Sequence, residues 1–111
     1  MYLVTGSAGF IGFHLSHLLL KKGQTVVGVD NINNYYSKKI KYERLKILKK
    51  FKKFKFLKLD LKNKKDFSKK ISKYKKKIEV IVHLAGQAGV RYSIVNPTAY
   101  INDNILSYVY L

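Results

Sequence analysis

The sequence predicts an α/β fold in which helices cover both faces of a parallel sheet. Three observations predict it. Apolar runs suited to strands alternate with segments of helical period along the chain, three glycines stand between the first strand and the first helix, and an acidic residue closes the second strand. The glycines lie in Thr5-Gly6-Ser7-Ala8-Gly9-Phe10-Ile11-Gly12, directly after the apolar run Tyr2-Leu3-Val4. In that setting Gly6 suits a tight turn at positive φ, Gly9 lets a pyrophosphate approach the backbone, and Gly12 lets the helix pack close to the strand. The helix N-terminus then offers free N–H groups and a positive dipole end to an anion. Asp30 follows Gly12 by 18 positions, near the spacing of ~20 at which an acidic side chain reaches a ribose hydroxyl.

The elements follow in order. Leu3–Thr5 is the first strand, and Phe10–Lys22 is the first helix, with Ile11, Leu15, Leu18 and Leu19 on one face. Lys21, Lys22 and Gly23 end that helix, with cations on the negative end of the dipole and then a residue tolerant of the left-handed region. Thr25–Val29 is a continuous apolar strand suited to burial on both faces. A polar loop, Asn31 to Ser37, leads to a helix over Lys38–Lys50 whose period is set by Ile40, Glu43-Arg44, Ile47 and Leu48. Phe54–Leu59 is the third strand, closed by Asp60. A short helix runs from Asn63 or Lys64 to about Lys75, with Phe67, Ile71 and Tyr74 on one face. Glu79–Leu84 is the fourth strand, with Val80-Ile81-Val82 as its buried core, and Ala85–Asn96 is a glycine-containing loop. Asn96 caps a last helix that Pro97 starts and that runs through Ile101, Ile105, Val109 and Leu111. Right-handed crossovers with the glycine turn on the first strand give strand order 3-2-1-4, a Rossmann-type sheet. The last helix has no C-cap and the fourth strand would leave an open edge. The expectation is therefore an N-terminal part, 1–111, of a dinucleotide-binding domain from a longer protein.

A length of 111 residues with 47% apolar composition supports one domain with a real core. The absence of cysteine removes disulfides and thiolate metal sites, and no apolar stretch is long enough to span a bilayer. A cytoplasmic protein is expected. The net charge is +17, and Lys38–Lys77 contains all of the excess: 20 Lys and Arg minus 3 acidic residues leaves 17. One reading is a surface for nucleic acid or another polyanion. The favoured reading is a solvated surface rich in lysine, because one arginine in the segment and no cluster of base-reading residues make a poor nucleic-acid signature. His14 and His17, at i and i+3, lack a third ligand nearby, so no metal site is expected.

At this point the residues resemble a known family. Thr-Gly-x-x-Gly-Phe-Ile-Gly looks like the motif of the extended short-chain dehydrogenases/reductases, which include the NAD-dependent epimerases and dehydratases. Within them, the run Asp30-Asn31-Ile32-Asn33-Asn34-Tyr35-Tyr36 closely resembles the UDP-glucuronate 4-epimerases. So do the run His83 to Ser93, the pair Asn96-Pro97, and Tyr100. The resemblance covers the whole chain. It implies a bound NAD that oxidises C4 of a nucleotide sugar, a 4-keto intermediate, and return of hydride to the opposite face, as in the isomerases of polysaccharide biosynthesis. It implies that Gly6, Gly9, Phe10 and Ile11 cradle the pyrophosphate. By the same resemblance Asp30 and Asn31 hold the adenosine ribose with Asn34 nearby, Asp60 and Leu61 flank the adenine, and Leu84, Ala85 and Gly86 line the cofactor. Asp30 also favours NAD over NADP, because its charge repels a 2′-phosphate.

By resemblance the partner is a UDP-uronic acid, the parent protein is a homodimer, and neither a membrane nor a specific nucleic acid is involved. No catalytic residue is assigned, because the family's Tyr-x-x-x-Lys and its Ser/Thr partner fall beyond residue 111. Tyr35-Lys39 and Tyr42-Lys46 have the spacing only as an accident of a lysine-rich stretch. Two roles stay open. Arg91 either contacts the sugar nucleotide or its carboxylate, or orders its loop through backbone carbonyls. Asn104 is either near the active site or a buried side chain fixing the last helix. Tyr35 and Tyr36 shield the adenosine pocket or cover the second helix, and His83 is read as packing near the cofactor. The chain departs from the family at Gly86, where alanine is usual, at Ser107, where glycine is usual, and in its lysine surplus. The alternatives are another nucleotide-sugar epimerase or a 4,6-dehydratase of the same superfamily, and, from another class, a basic nucleic-acid-binding module.

Overall fold

A computed structural model describes residues 1–111. Strands β1 (Tyr2–Thr5), β2 (Val26–Asp30), β3 (Phe54–Lys58) and β4 (Val80–His83) form one parallel sheet in the order β3-β2-β1-β4. In register, Tyr2 lies opposite Val26 and Val80, and Thr5 opposite Val29 and His83. The helices are α1 (Phe10–Lys21), α2 (Lys38–Leu48), α3 (Lys64–Lys75), α4 (Val90–Val95), α5 (Pro97–Tyr100) and α6 (Ser107–Val109), with a π-helical segment (Ile101–Leu106) between the last two.

Alternation along the strands divides the core into two. Val4, Val26 and Phe54 face the side where Leu20, Leu45 and Leu48 of α1 and α2 pack. Leu3, Val27 and Val29 face the side covered by Phe67 and Ile71 of α3. A sheet buried on both faces explains why β2 reads as a continuous apolar run; all five of its residues are buried. Asn63 caps α3 by accepting from Asp66 N at 3.1 Å, and Asn96 caps α5 by accepting from Ala99 N at 3.2 Å, with Pro97 in the first turn.

Five expectations are corrected. The face of α1 turned to the sheet is Gly12, Ser16 and Leu20, while Ile11 and Leu18 are exposed. The leucine spacing misleads because the helix lies so close to β1 that only small residues fit beneath its first two turns. In α2 the buried line is Lys41, Leu45 and Leu48, and Ile40 and Ile47 are exposed; a lysine in the core stripe shifts the apparent period. In β4, Val80 and Ile81 are 41% and 45% exposed rather than core, because β4 is the edge strand and pairs only with β1. The last helix is not one α-helix: its middle widens to a π-turn, where the Ser107 hydroxyl takes the Asp103 carbonyl. The loop after β4 also contains α4, which a glycine-rich stretch with no buried face did not reveal.

No helix is long and apolar enough to cross a membrane. The corrected α2 face is checked by a pair of truncations. Leu48→Ala, at a fully buried position, is expected to cost about 2–5 kcal/mol in urea unfolding followed by circular dichroism. Ile47→Ala is expected to cost under ~1 kcal/mol. Equal losses would put the face where the leucine-isoleucine spacing had it.

Candidate functional site

The sheet reverses its direction of growth at β1, which has β2 on one side and β4 on the other. Such a switch point opens a crevice at the carboxyl ends of the strands, and the glycine turn lies in it. Gly6 has φ +68, and a Cβ there would meet the Leu84 carbonyl oxygen at 2.8 Å. A Cβ on Gly12 would stand 2.1 Å from the Gly6 carbonyl oxygen, so α1 lies directly on the turn. The turn is pinned by Ser7 N donating to Val29 O at 3.1 Å and Gly9 N donating to Gly6 O at 2.9 Å. Gly9 caps α1 without a side-chain hydrogen bond, and the first helical turn holds no acidic residue. The positive end of the helix therefore faces the crevice uncompensated.

Opposite the turn, Asp30 ends β2 and is buried. Its Oδ2 accepts from Ala8 N at 3.1 Å and its Oδ1 from Ile32 N at 2.8 Å. One carboxylate thus ties the glycine turn to the loop after β2. Ile32 is buried with φ 54, a sparsely populated conformation for a β-branched residue that its burial and the Asp30 hydrogen bond hold in place. Asn31 donates to Asp60 Oδ2 at 3.4 Å, linking the ends of β2 and β3.

The third wall comes from β4. Thr5 Oγ1 accepts from Leu84 N at 3.0 Å and from Ala85 N at 3.1 Å, so its own proton goes to His83 Nδ1, 2.7 Å away. That assigns His83 the tautomer with hydrogen on Nε2, which lies 3.4 Å from Ser107 Oγ, and Ser107 donates in turn to Asp103 O. Burial holds the His83 pKa below its ordinary 6.5. Ser107 is accommodated as a member of this chain. Asn104 is exposed, yet its amide clamps the β4 loop: Oδ1 accepts from Gln87 N at 2.7 Å and Nδ2 donates to Gln87 O at 3.2 Å.

These walls enclose a cleft of about 430 Å³, within the ~300–1,000 Å³ of small-molecule sites. Of the residues singled out from the sequence, Gly6, Gly9, Phe10, Ile11, Asp30, Asn31, Asp60, Leu61, Leu84, Ala85 and Gly86 line it together. Asn34 does not; Asn33 takes that place, because the turn stabilised by Asn33 N donating to Asn31 Oδ1 points Asn33 back toward α2. Arg91 is exposed on α4 and lies outside the lining. It makes no hydrogen bond to its loop, which is ordered instead by Asn104 and by the Tyr100 hydroxyl, whose single proton is shared between Ala88 O and Gly89 O.

Tyr35 and Tyr36 line the cleft. Sequence reasoning missed Lys41, Lys62, Asp103 and Ser107 as lining residues. The two lysines carry no signal in a segment full of lysine. Lys62 bridges Asp103, at 2.9 Å, and Asp60, at 3.7 Å; the hydrogen bond to Asp103 raises its pKa above the ordinary value despite an opposing contribution from burial. His14 and His17 pack among Phe10, Phe13 and Phe51 as aromatic partners.

A parallel 3-2-1-4 sheet with a glycine turn at its switch point and an acidic residue ending β2 is a Rossmann-type domain. Comparison with known proteins then narrows the class. The chain belongs to the family described as GDP-mannose 4,6 dehydratase, whose model matches residues 3–111. It is 50% identical to Protein CapI of Staphylococcus aureus over 96% of this chain and 31% of that protein. It is 46% identical to the UDP-glucuronate 4-epimerase of Thermodesulfobacterium geofontis over 94% of this chain and 32% of that one. Among solved structures, the UDP-glucuronic acid 4-epimerase of Bacillus cereus in complex with UDP-glucuronic acid and NAD superposes with a TM-score of 0.85 at 36% identity. That match covers 99% of this chain and 34% of the other. The chain spans about a third of the length of these relatives.

The state of His83 gives a pH test. A folded-state pKa below 6.5 means that the unfolded chain takes up the proton first. The stabilisation from neutral His83 is full above pH 6.5 and is lost as pH falls through the lowered folded value. The thermal midpoint is therefore expected to fall more steeply below pH 6.5 in the wild type than in His83→Gln. Parallel curves would mean that His83 is not held neutral.

Proposed function

We propose that this chain is the cofactor-binding part of an NAD-dependent nucleotide-sugar epimerase that interconverts UDP-glucuronate and UDP-galacturonate. The observation that carries this reading is the pairing, within one cleft, of an uncapped helix N-terminus on a glycine cradle with a fixed carboxylate opposite. The cradle fits a pyrophosphate: Gly9 lines the cleft without a side chain, and a Cβ there would crowd the Gly6 oxygen at 3.0 Å, so glycine keeps the turn tight. Phe10 and Ile11 bring the first-turn N–H groups to the phosphates. Each Asp30 oxygen accepts one backbone N–H and keeps lone-pair capacity for a ribose hydroxyl, with Asn31 beside it. Asp60 and Leu61 flank the adenine, and Leu84, Ala85 and Gly86 border the nicotinamide half.

NAD, when bound, supplies reversible hydride transfer at C4 of the sugar. The residues of this chain bind and orient it, and Asn104 and Tyr100 fix the β4 loop along which it lies. The spanning of only a third of the relatives supports placing proton transfer and the substrate domain in a further segment of the polypeptide, with residues 1–111 as the N-terminal part. Arg91, exposed at the start of α4, is free to meet a substrate carboxylate carried by that segment. The lysine surplus reads as solvated surface: of the lysines between 38 and 77, only Lys41, Lys62 and Lys70 touch a carboxylate. We place the reaction in the cytoplasm.

A second reading, a 4,6-dehydratase, is favoured by the description of the matching family model. The complete polypeptide, offered UDP-glucuronate and GDP-mannose and followed by NMR, is expected to yield UDP-galacturonate. A 4-keto-6-deoxy sugar would instead establish the dehydratase. For the cradle, Gly9→Val is expected to weaken NAD binding at least tenfold in calorimetric titration, and equal affinities would refute the phosphate assignment.

A further inference from the structure

Two charged side chains of opposite sign are buried beside each other in the cleft. Lys41 is 4% exposed and Asp30 7% exposed. The Lys41 ammonium lies 3.7 Å from Asp30 Oδ1 and donates to Asn33 Oδ1 at 2.8 Å. It also stands 4.8 Å from the centre of the Tyr36 ring. A lysine ammonium has three donors. Asn33 takes one at hydrogen-bond distance, and the Asp30 contact is long for a second. Lys41 is itself a lining residue of the cleft, so donor capacity remains on the side where Asp30 meets a ligand.

The carboxylate does not depend on Lys41 for its hydrogen bonds, because both of its oxygens are already met by backbone N–H groups of Ala8 and Ile32. What Lys41 supplies is charge. The end of β2 is therefore close to neutral rather than anionic. Arg44, one helical turn further along α2, adds a second cation. Its Nη1 donates to Ala8 O at 3.2 Å and to the Tyr36 hydroxyl at 3.4 Å, on the same glycine turn that Asp30 grips from the other side.

We propose that Lys41 makes the ribose pocket a latent receptor for a 2′-phosphate, so that Asp30 alone holds the chain to NAD and its removal admits NADP. This rests on the dinucleotide reading above. In an ordinary acidic-ended pocket the carboxylate excludes NADP by repulsion, and losing it only relieves the repulsion. Here the same loss uncovers an ammonium 3.7 Å from the position the carboxylate oxygen vacates, with Arg44 one helical turn further on. The phosphate then meets an attractive field instead of an indifferent one.

The test is calorimetric titration of NAD and NADP into the complete polypeptide as wild type, Asp30→Ser, Lys41→Met and the double variant, each checked for folding by circular dichroism. The wild type is expected to prefer NAD. Asp30→Ser is expected to gain at least tenfold in NADP affinity, with a steep salt dependence, and adding Lys41→Met is expected to remove at least tenfold of that gain and to lower NADP affinity by a larger factor than NAD affinity in the same background. Where Lys41→Met does not fold, Lys41→Gln serves, since it keeps a polar end for Asn33 without the charge. An equal NADP gain with and without Lys41, or none in a folded Asp30→Ser that still binds NAD, would overturn the proposal alone. A folded wild type that binds neither cofactor would overturn the dinucleotide reading and this proposal with it.

Discussion

The structure depends on one close approach, that of α1 to the turn beneath it. With Gly12 against the Gly6 carbonyl, no side chain of any kind fits between them. The contact sets the distance of α1 from the sheet, aims the helix axis along the crevice, and fixes where its first N–H groups emerge. Everything that lines the cleft is built outward from there: Asp30 reaches the turn through Ala8 N, and β4 reaches it through Leu84 packed on Gly6. Tight packing at a turn is usually a matter of stability; here it is also what leaves the cleft open at the helix N-terminus, since the atoms that would close it are absent.

Much of this was legible beforehand. The sheet order, the glycine turn, the acidic end of β2 and the Asn96 cap each follow from local chemistry with a fixed spacing, and the glycine turn and the acidic end of β2 meet in one cleft. What was not legible shares a different character. The buried face of α1 is marked by Gly12 and Ser16, which hydrophobic spacing does not count. The buried face of α2 carries Lys41, whose role depends on Asp30, eleven positions earlier, and on Asn33. At the end of the π-turn, Ser107 meets both its own helix and His83. In each case the deciding partner is distant in sequence or has too little apolar surface to register. Asn34 was displaced by its neighbour Asn33 for a related reason: a one-residue difference in a turn reverses which side chain points inward.

The cleft is electrically different from the surface around it. The chain as a whole carries +17, yet the lysines that enter the cleft are matched: Lys41 to Asp30, and Lys62 to Asp60 and Asp103. The unmatched lysines stand in water, where a long flexible stem lets each ammonium keep its hydration. The cleft thus combines local neutrality with a distant positive field, which favours approach of an anionic ligand without fixing any part of it in place.

The edge position of β4 has a colloidal consequence. Its apolar residues Val80 and Ile81 lie on the rim of a parallel sheet, and the outer backbone groups of that rim are free to pair with another strand. Two copies that meet there gain hydrogen bonds and buried area, and what opposes the meeting is the mutual repulsion of two strongly cationic bodies. That repulsion acts over ~10 Å at 0.1 M salt and ~3 Å at 1 M. Raising the ionic strength shortens the range of that repulsion without touching the apolar surface it guards.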